Sequence, residues 1–159
     1  FSVTSKGAVY DASSDILSKI ELVEVSYLFE EATIFSGDGF TIYTKFQDPK
    51  SEVNYYRVDG TVNGKKFGGV DNLILFDDVL ENGDFISSPV FGELKLGDII
   101  TVNLYHLNLS TYNYYKELEL VLDEESDNAA PTNPVSNWSN NALGNFSAMA
   151  VSSKTILIQ

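Results

Sequence analysis

Few residues in this chain have the types and spacing that chemistry requires. The single histidine, His106, falls two residues past Leu104, on the face that Ile100 and Val102 share. A general base or a zinc ligand needs partners, and a catalytic triad needs a serine and an acid oriented around the ring. No Gly-x-Ser-x-Gly, His-Glu-x-x-His or phosphate-cradling glycine loop with its lysine occurs. His106 is therefore expected near a strand end with a backbone or water partner. The acid-rich run of Asp71, Asn72, Asp77, Asp78, Glu81, Asn82 and Asp84 invites a calcium reading, because hard cations collect oxygen ligands. EF-hand spacing is absent, and Asn82-Gly83-Asp84 is also an ordinary turn, so no metal or cofactor is assigned. Carboxylate pairs of the kind that hydrolyse glycosides arise by chance among 23 acidic residues. No reaction follows from them.

Aromatic residues in polar loops are the remaining candidates. Trp138 sits in Ser136-Asn137-Trp138-Ser139-Asn140-Asn141. An exposed indole there can anchor a protein partner or stack on a sugar ring; otherwise it folds back as a plug. Trp138, Asn137 and Asn140 are the candidate contact residues, with Tyr112, the member of the Tyr112–Tyr115 group expected to be exposed. Tyr115 is expected in the core. The Asn-x-Ser sequons at Asn108, Asn137 and Asn145 would matter only where such asparagines are glycosylated.

These residues need a frame, and alternation supplies a mostly β one. Val23, Val25, Tyr27 and Phe29 share one phase; Phe40, Ile42 and Phe46 share another. Tyr56, Val58 and Val62 oppose Tyr55, Arg57 and Asp59, and the run ends at Asn63-Gly64, a type I′ hairpin signal. Leu73–Phe76 reads as a short buried strand. Gly97-Asp98 is a turn before a strand over Ile99–Leu107. A helix follows, capped by Ser110 or Thr111, with Tyr114, Leu118, Val121 and Leu122 at helical spacing. It runs into the acidic stretch Asp123–Asp127. Residues 128–141 form a long Pro/Asn-rich loop, and Phe146, Ala148 and Ala150 resume strand alternation. The expected object is one domain over 1–159, an antiparallel β-sandwich or partly open barrel with one helix packed against it.

Composition narrows the partners. A formal charge of −13, with only 10 scattered Lys and Arg, argues against nucleic acid. There is no cysteine, hence no disulfide or thiol chemistry. No apolar run approaches the roughly 18 residues of a membrane span.

Several landmarks occur in a fixed order: Phe46-Gln47-Asp48-Pro49, Asn54-Tyr55-Tyr56-Arg57, Asp77-Asp78, Gly97-Asp98, Tyr112–Tyr115, Pro131–Ala148 and Val151-Ser152-Ser153-Lys154. In that order the chain resembles an uncharacterised envelope-lipoprotein family of Bacteroidota, catalogued as domain of unknown function 4249. The stretch Glu30–Gly39 departs from that pattern. The resemblance implies outer-membrane association through an N-terminal lipid anchor outside this chain, with residues 1–10 as the end of a preceding domain. It also implies an accessory or ligand-capture role, for example beside a TonB-dependent nutrient transporter, and it carries over no catalytic residue. The alternatives are a glycan-binding module or glycoside hydrolase using the Trp138 loop, and a purely structural domain.

Overall fold

The computed structural model describes residues 1–34, 36–50, 52–67, 73–80, 82–122 and 133–159. A two-stranded hairpin comes first, β1 (Ser2–Ser5) and β2 (Ala8–Asp11). Next come β3 (Leu22–Glu30), β4 (Gly39–Gln47), β5 (Tyr55–Val62), β6 (Lys65–Phe67), β7 (Ile74–Asp77), β8 (Phe85–Leu94) and β9 (Ile99–Leu107). Helix α1 (Leu109–Leu122) and β10 (Ala150–Leu157) complete the described elements.

One sheet has the order β3-β4-β8; the other runs β10-β9-β5-β6, with β7 pairing the start of β5 beyond the end of β6. All pairings are antiparallel. The two sheets pack face to face as a sandwich and do not close into a barrel. Ile42 and Phe46 from one sheet meet Tyr56, Val58, Ile100, Val102 and Leu104 from the other, all essentially without solvent contact. The Phe46 and Tyr56 rings cross edge-on at 4.8 Å, and Phe76 lies 5.4 Å from Tyr56. Each such side chain contributes about 1.5–3 kcal/mol by leaving water.

Turn chemistry is realised as expected at Asn63-Gly64, where φ is 52° and 77°. Asp98 then ties the neighbouring turns, accepting from Lys95 N–H and from Asn63 Nδ2, both at 2.8 Å.

Four expectations need correcting. A bulge between Leu22 and Glu24 reverses the phase of β3, so Leu22 points into the core and Val23 points out. Strand β8 was not anticipated, because Pro89, Gly92 and two register shifts against β4 break its alternation. The last strand starts at Ala150 rather than Phe146, since 146–149 are held by side chains instead of a ladder. The helix is capped by Asn108, whose Oδ1 accepts from Thr111 N–H at 2.9 Å, ahead of the expected Ser110 or Thr111. Asp123–Asp127 and residues 128–132 of the following loop lie outside the described residues.

Candidate functional site

The Trp138 loop closes onto the hairpin. Trp138 forms an isolated antiparallel bridge with Ala12, and Ser139 N–H donates to the Asp11 carbonyl at 2.8 Å. Ser139 Oγ accepts from Asp11 N–H, and Asn140 Nδ2 donates to the Val9 carbonyl at 2.7 Å. Asn140 and Asn141 both sit at φ 56°, a left-handed conformation that asparagine tolerates better than most residues. The indole meets Phe1 and Phe146 edge-on at 6.0 and 6.1 Å, while those two rings stack on each other at 5.1 Å. Trp138 is half-buried, packed on one side and open on the other.

Two depressions flank it. The larger, about 460 Å³, is bordered by Phe1, Ser2, Asp11, Ser13, Asn137 and Ser139. The smaller, about 230 Å³, is apolar and lined by Val3, Tyr10, Ala142 and Leu143. Most polar side chains on the larger rim are already engaged. Ser2 Oγ donates to Asp11, Ser136 Oγ donates to the Gly144 carbonyl, and Asn137 is committed at both ends. Its Nδ2 donates to the Phe146 carbonyl at 2.7 Å and its Oδ1 accepts from Phe146 N–H at 2.9 Å. Asn137 therefore clasps the 137–146 loop. Asn137→Ala is expected to loosen it by about 1–2 kcal/mol and red-shift the emission of the single tryptophan, with far-ultraviolet circular dichroism unchanged.

Tyr112 is elsewhere. It is only 6% exposed, stacks on Tyr55 at 4.7 Å, and donates its hydroxyl to Asp77 Oδ2 at 3.3 Å. Burial first, and the Asp77 charge second, push its hydroxyl pKa up to about 12. The expected exposure of Tyr112 is thus reversed, because the first turn of α1 lies directly on β5. Tyr115 is the less buried of the two, accepting at 2.8 Å from Arg57, whose guanidinium lies 4.3 Å over Tyr105.

A second constellation is buried where β5 begins. Asp78 is fully buried and accepts from Asn54 N–H at 2.9 Å and from Asn54 Nδ2 at 3.1 Å. The same Nδ2 also faces the carbonyls of Pro49 and Glu52, at 3.0 and 2.8 Å. Tyr56 donates its hydroxyl to Asp48 Oδ1, and Gly83 N–H donates to Oδ2 at 2.8 Å. His106 joins through Asn54 Oδ1 and the Ser18 carbonyl, each at 2.9 Å. Burial, above all, holds the Asp48 carboxyl above its usual range, and the adjacent Asp78 adds to this. Burial also drives the Tyr56 hydroxyl far up. Among the described residues no three His, Asp or Glu side chains are placed to hold a metal; Asp71, Asn72 and Glu81 lie outside them.

A family model described as "Domain of unknown function (DUF4249)" matches residues 3–155. The chain belongs to the DUF4249 family. No curated protein and no solved structure matches it. In this DUF4249 chain three of the landmarks, Asp48, Asn54–Arg57 and Asp77-Asp78, converge on the buried network beside His106. They hold two loops to a strand. Sequence reasoning missed this role because Asp48-Pro49 also reads as a strand break and Asp78 as one more surface acid.

Proposed function

We propose that this domain is a non-enzymatic binding module of an outer-membrane-associated lipoprotein. It acts as an accessory or ligand-capture subunit of an envelope assembly such as a TonB-dependent nutrient transporter, and docks a protein partner through Trp138. The observation that carries this reading is the half-exposed indole between two depressions, on a loop braced by Asn137, Ser139 and Asn140. The compartment and the transporter link rest on the family resemblance. The polar rim favours a protein over a sugar, because its serine and asparagine groups are largely spent inside the loop. A sugar site needs free donors and acceptors around the stacking ring. His106, Asp48, Asp78 and Tyr56 border neither depression.

The test is an affinity pull-down of the tagged full-length protein from its native membrane in mild detergent. A stoichiometric envelope partner is expected with the wild type. Trp138→Ala is expected to reduce its recovery at least tenfold, about 1.4 kcal/mol or more at a contact hot spot. The main unfolding transition should move by less than about 5 °C, because Trp138 packs on Phe1 and Phe146 and not on the inter-sheet core. Recovery of the protein alone would overturn the reading. A saturable shift of tryptophan emission with oligosaccharides would replace it with glycan binding.

A further inference from the structure

Strand β3 is the outer strand of its sheet, and among the described residues no strand pairs its other side. The start of that edge is occupied. Leu22 N–H donates to Ser152 Oγ at 3.0 Å, and Lys154 Nζ donates to the Val23 carbonyl. Gln159 then meets the Tyr27 hydroxyl through its carbonyl and its N–H, at 2.8 and 3.3 Å. Past Tyr27 the strand changes character: Leu28, Phe29 and Glu30 are all exposed. The loop that follows is drawn the other way, toward β8 on the far side of β4. Gly37 N–H donates there to Glu93 Oε1 at 2.8 Å, from a glutamate held at φ 59°.

This half of the edge is apolar on one face and acidic on the other. Tyr27 and Phe29 flank Phe40 edge-on, at 5.6 and 5.3 Å. Phe40 packs against the core, whereas Phe29 is 51% exposed, so an aromatic row runs from the core out to water along β3. On the other face, Glu30 accepts from the Tyr43 and Thr41 hydroxyls at 2.7 and 2.8 Å. Those two bonds keep its carboxyl below the usual range and fix its charge at the strand end. Lys45 lies opposite Glu24 in the ladder, but nothing basic lies between Lys19 and Lys45 in the chain, against Glu21, Glu24, Glu30, Glu31 and Asp38.

We propose that residues 26–30 of β3 are a strand-addition site for an extended, positively charged polypeptide segment with apolar residues at alternate positions. Its backbone pairs with the open edge, its apolar side chains pack beside Tyr27 and Phe29, and its Lys or Arg side chains meet Glu30 and Glu31. Charge complementarity selects this occupant over a second copy of the chain. A second copy brings the same acids to the seam, and the antiparallel register centred on Tyr27 sets each Glu24 opposite a Glu30. No β3 residue borders either depression beside Trp138, so the site stands whatever that loop binds.

The test uses the whole chain and a fluorescent heptapeptide of alternating lysine and valine, followed by anisotropy at about 50 mM salt, where screening is modest. Saturable binding is expected, with amide NMR shifts concentrated in residues 26–30. The same peptide N-methylated at two adjacent central residues keeps its charge and side chains but loses a pairing N–H. It should bind at least about tenfold more weakly. Glutamate in place of lysine should abolish binding. In the chain, Phe29→Lys places a charge on the apolar face of the edge and should abolish it too. Equal binding of the methylated peptide would overturn the proposal, because charge attraction alone would then account for it. So would shifts centred elsewhere, no binding at about 1 mM peptide, or self-association of the chain through residues 26–30. The wild-type readouts decide the matter even where Phe29→Lys fails to fold.

Discussion

Asp78→Asn is expected to lose about 3 kcal/mol or more, while Asp48→Asn loses less than about 1 kcal/mol at neutral pH. The two residues differ in what faces them. Both Asp78 oxygens accept from Asn54, so an amide there turns a donor against a donor in a fully buried position. Asp48 stands beside Asp78, and burial and that neighbour favour its protonated form. An asparagine at 48 keeps one oxygen for Tyr56 or Gly83 and offers its amide to Asp78, much as the protonated acid does. For a chain of this size about 3 kcal/mol lowers the melting temperature by on the order of 10 °C, which calorimetry separates easily.

The pH dependence follows from the same pair. A carboxyl whose pKa is raised on folding binds more protons folded than unfolded. Its contribution is therefore largest in acid and declines as pH rises from the ordinary carboxylate range through the raised value. Asp48→Asn removes that decline. The wild-type minus variant difference in stability, measured from about pH 4 to 7, should fall steadily; a flat difference would mean that Asp48 is ionised throughout.

Gly60→Ala is the second large effect, expected to cost at least about 3 kcal/mol or to prevent accumulation of folded protein. Gly60 is on β5, where Phe91 of the opposite sheet presses against the strand. A methyl group there would overlap the Thr101 carbonyl oxygen and come within 2.9 Å of the Phe91 ring. That carbonyl belongs to the neighbouring strand and cannot swing aside. Gly92→Ala makes a fair control, since its methyl would meet only Thr41 Oγ1 at 3.4 Å. A loss below about 1 kcal/mol is expected there. Chemical denaturation of the two variants side by side tests the contrast.

Regular alternation made the central frame legible. Ile99–Leu107 was bounded correctly because Ile100, Val102, Leu104 and His106 all turn inward without a break. The Asn63-Gly64 turn declared itself through two residue types that tolerate positive φ, which the structure has at 52° and 77°. What alternation cannot encode is a change of phase. The bulge in β3 and the shifts in β8 each add a residue to one strand only, and their position depends on the partner strand. The site divides the same way. Trp138 stood out as a lone aromatic among polar residues, but its neighbour Phe1 comes from the other end of the chain. Tyr112 was misplaced because burial on a helix depends on which face the cap directs toward β5. Asp48, Asn54 and Asp78 form a unit only once the loop before β5 and the loop after β7 are folded together.

The sandwich is joined across long stretches of chain. Leu22 N–H donates to Ser152 Oγ, Tyr27 donates its hydroxyl to the Gln159 carbonyl, and Ala12 bridges Trp138. The first two bonds span 130 and 132 residues. Strand β3 thus leaves the ribosome long before the segment that covers its start has been made. At synthesis rates of about 5–20 residues per second, that edge stays open for several seconds or more. Folding of this topology is expected to be correspondingly slow, on the millisecond-to-second scale of non-local β architectures, and to reach completion only when β10 is free to pair. A nascent chain stalled before Ala150 should therefore remain protease-sensitive throughout, and gain resistance in one step once Ile158 clears the exit tunnel.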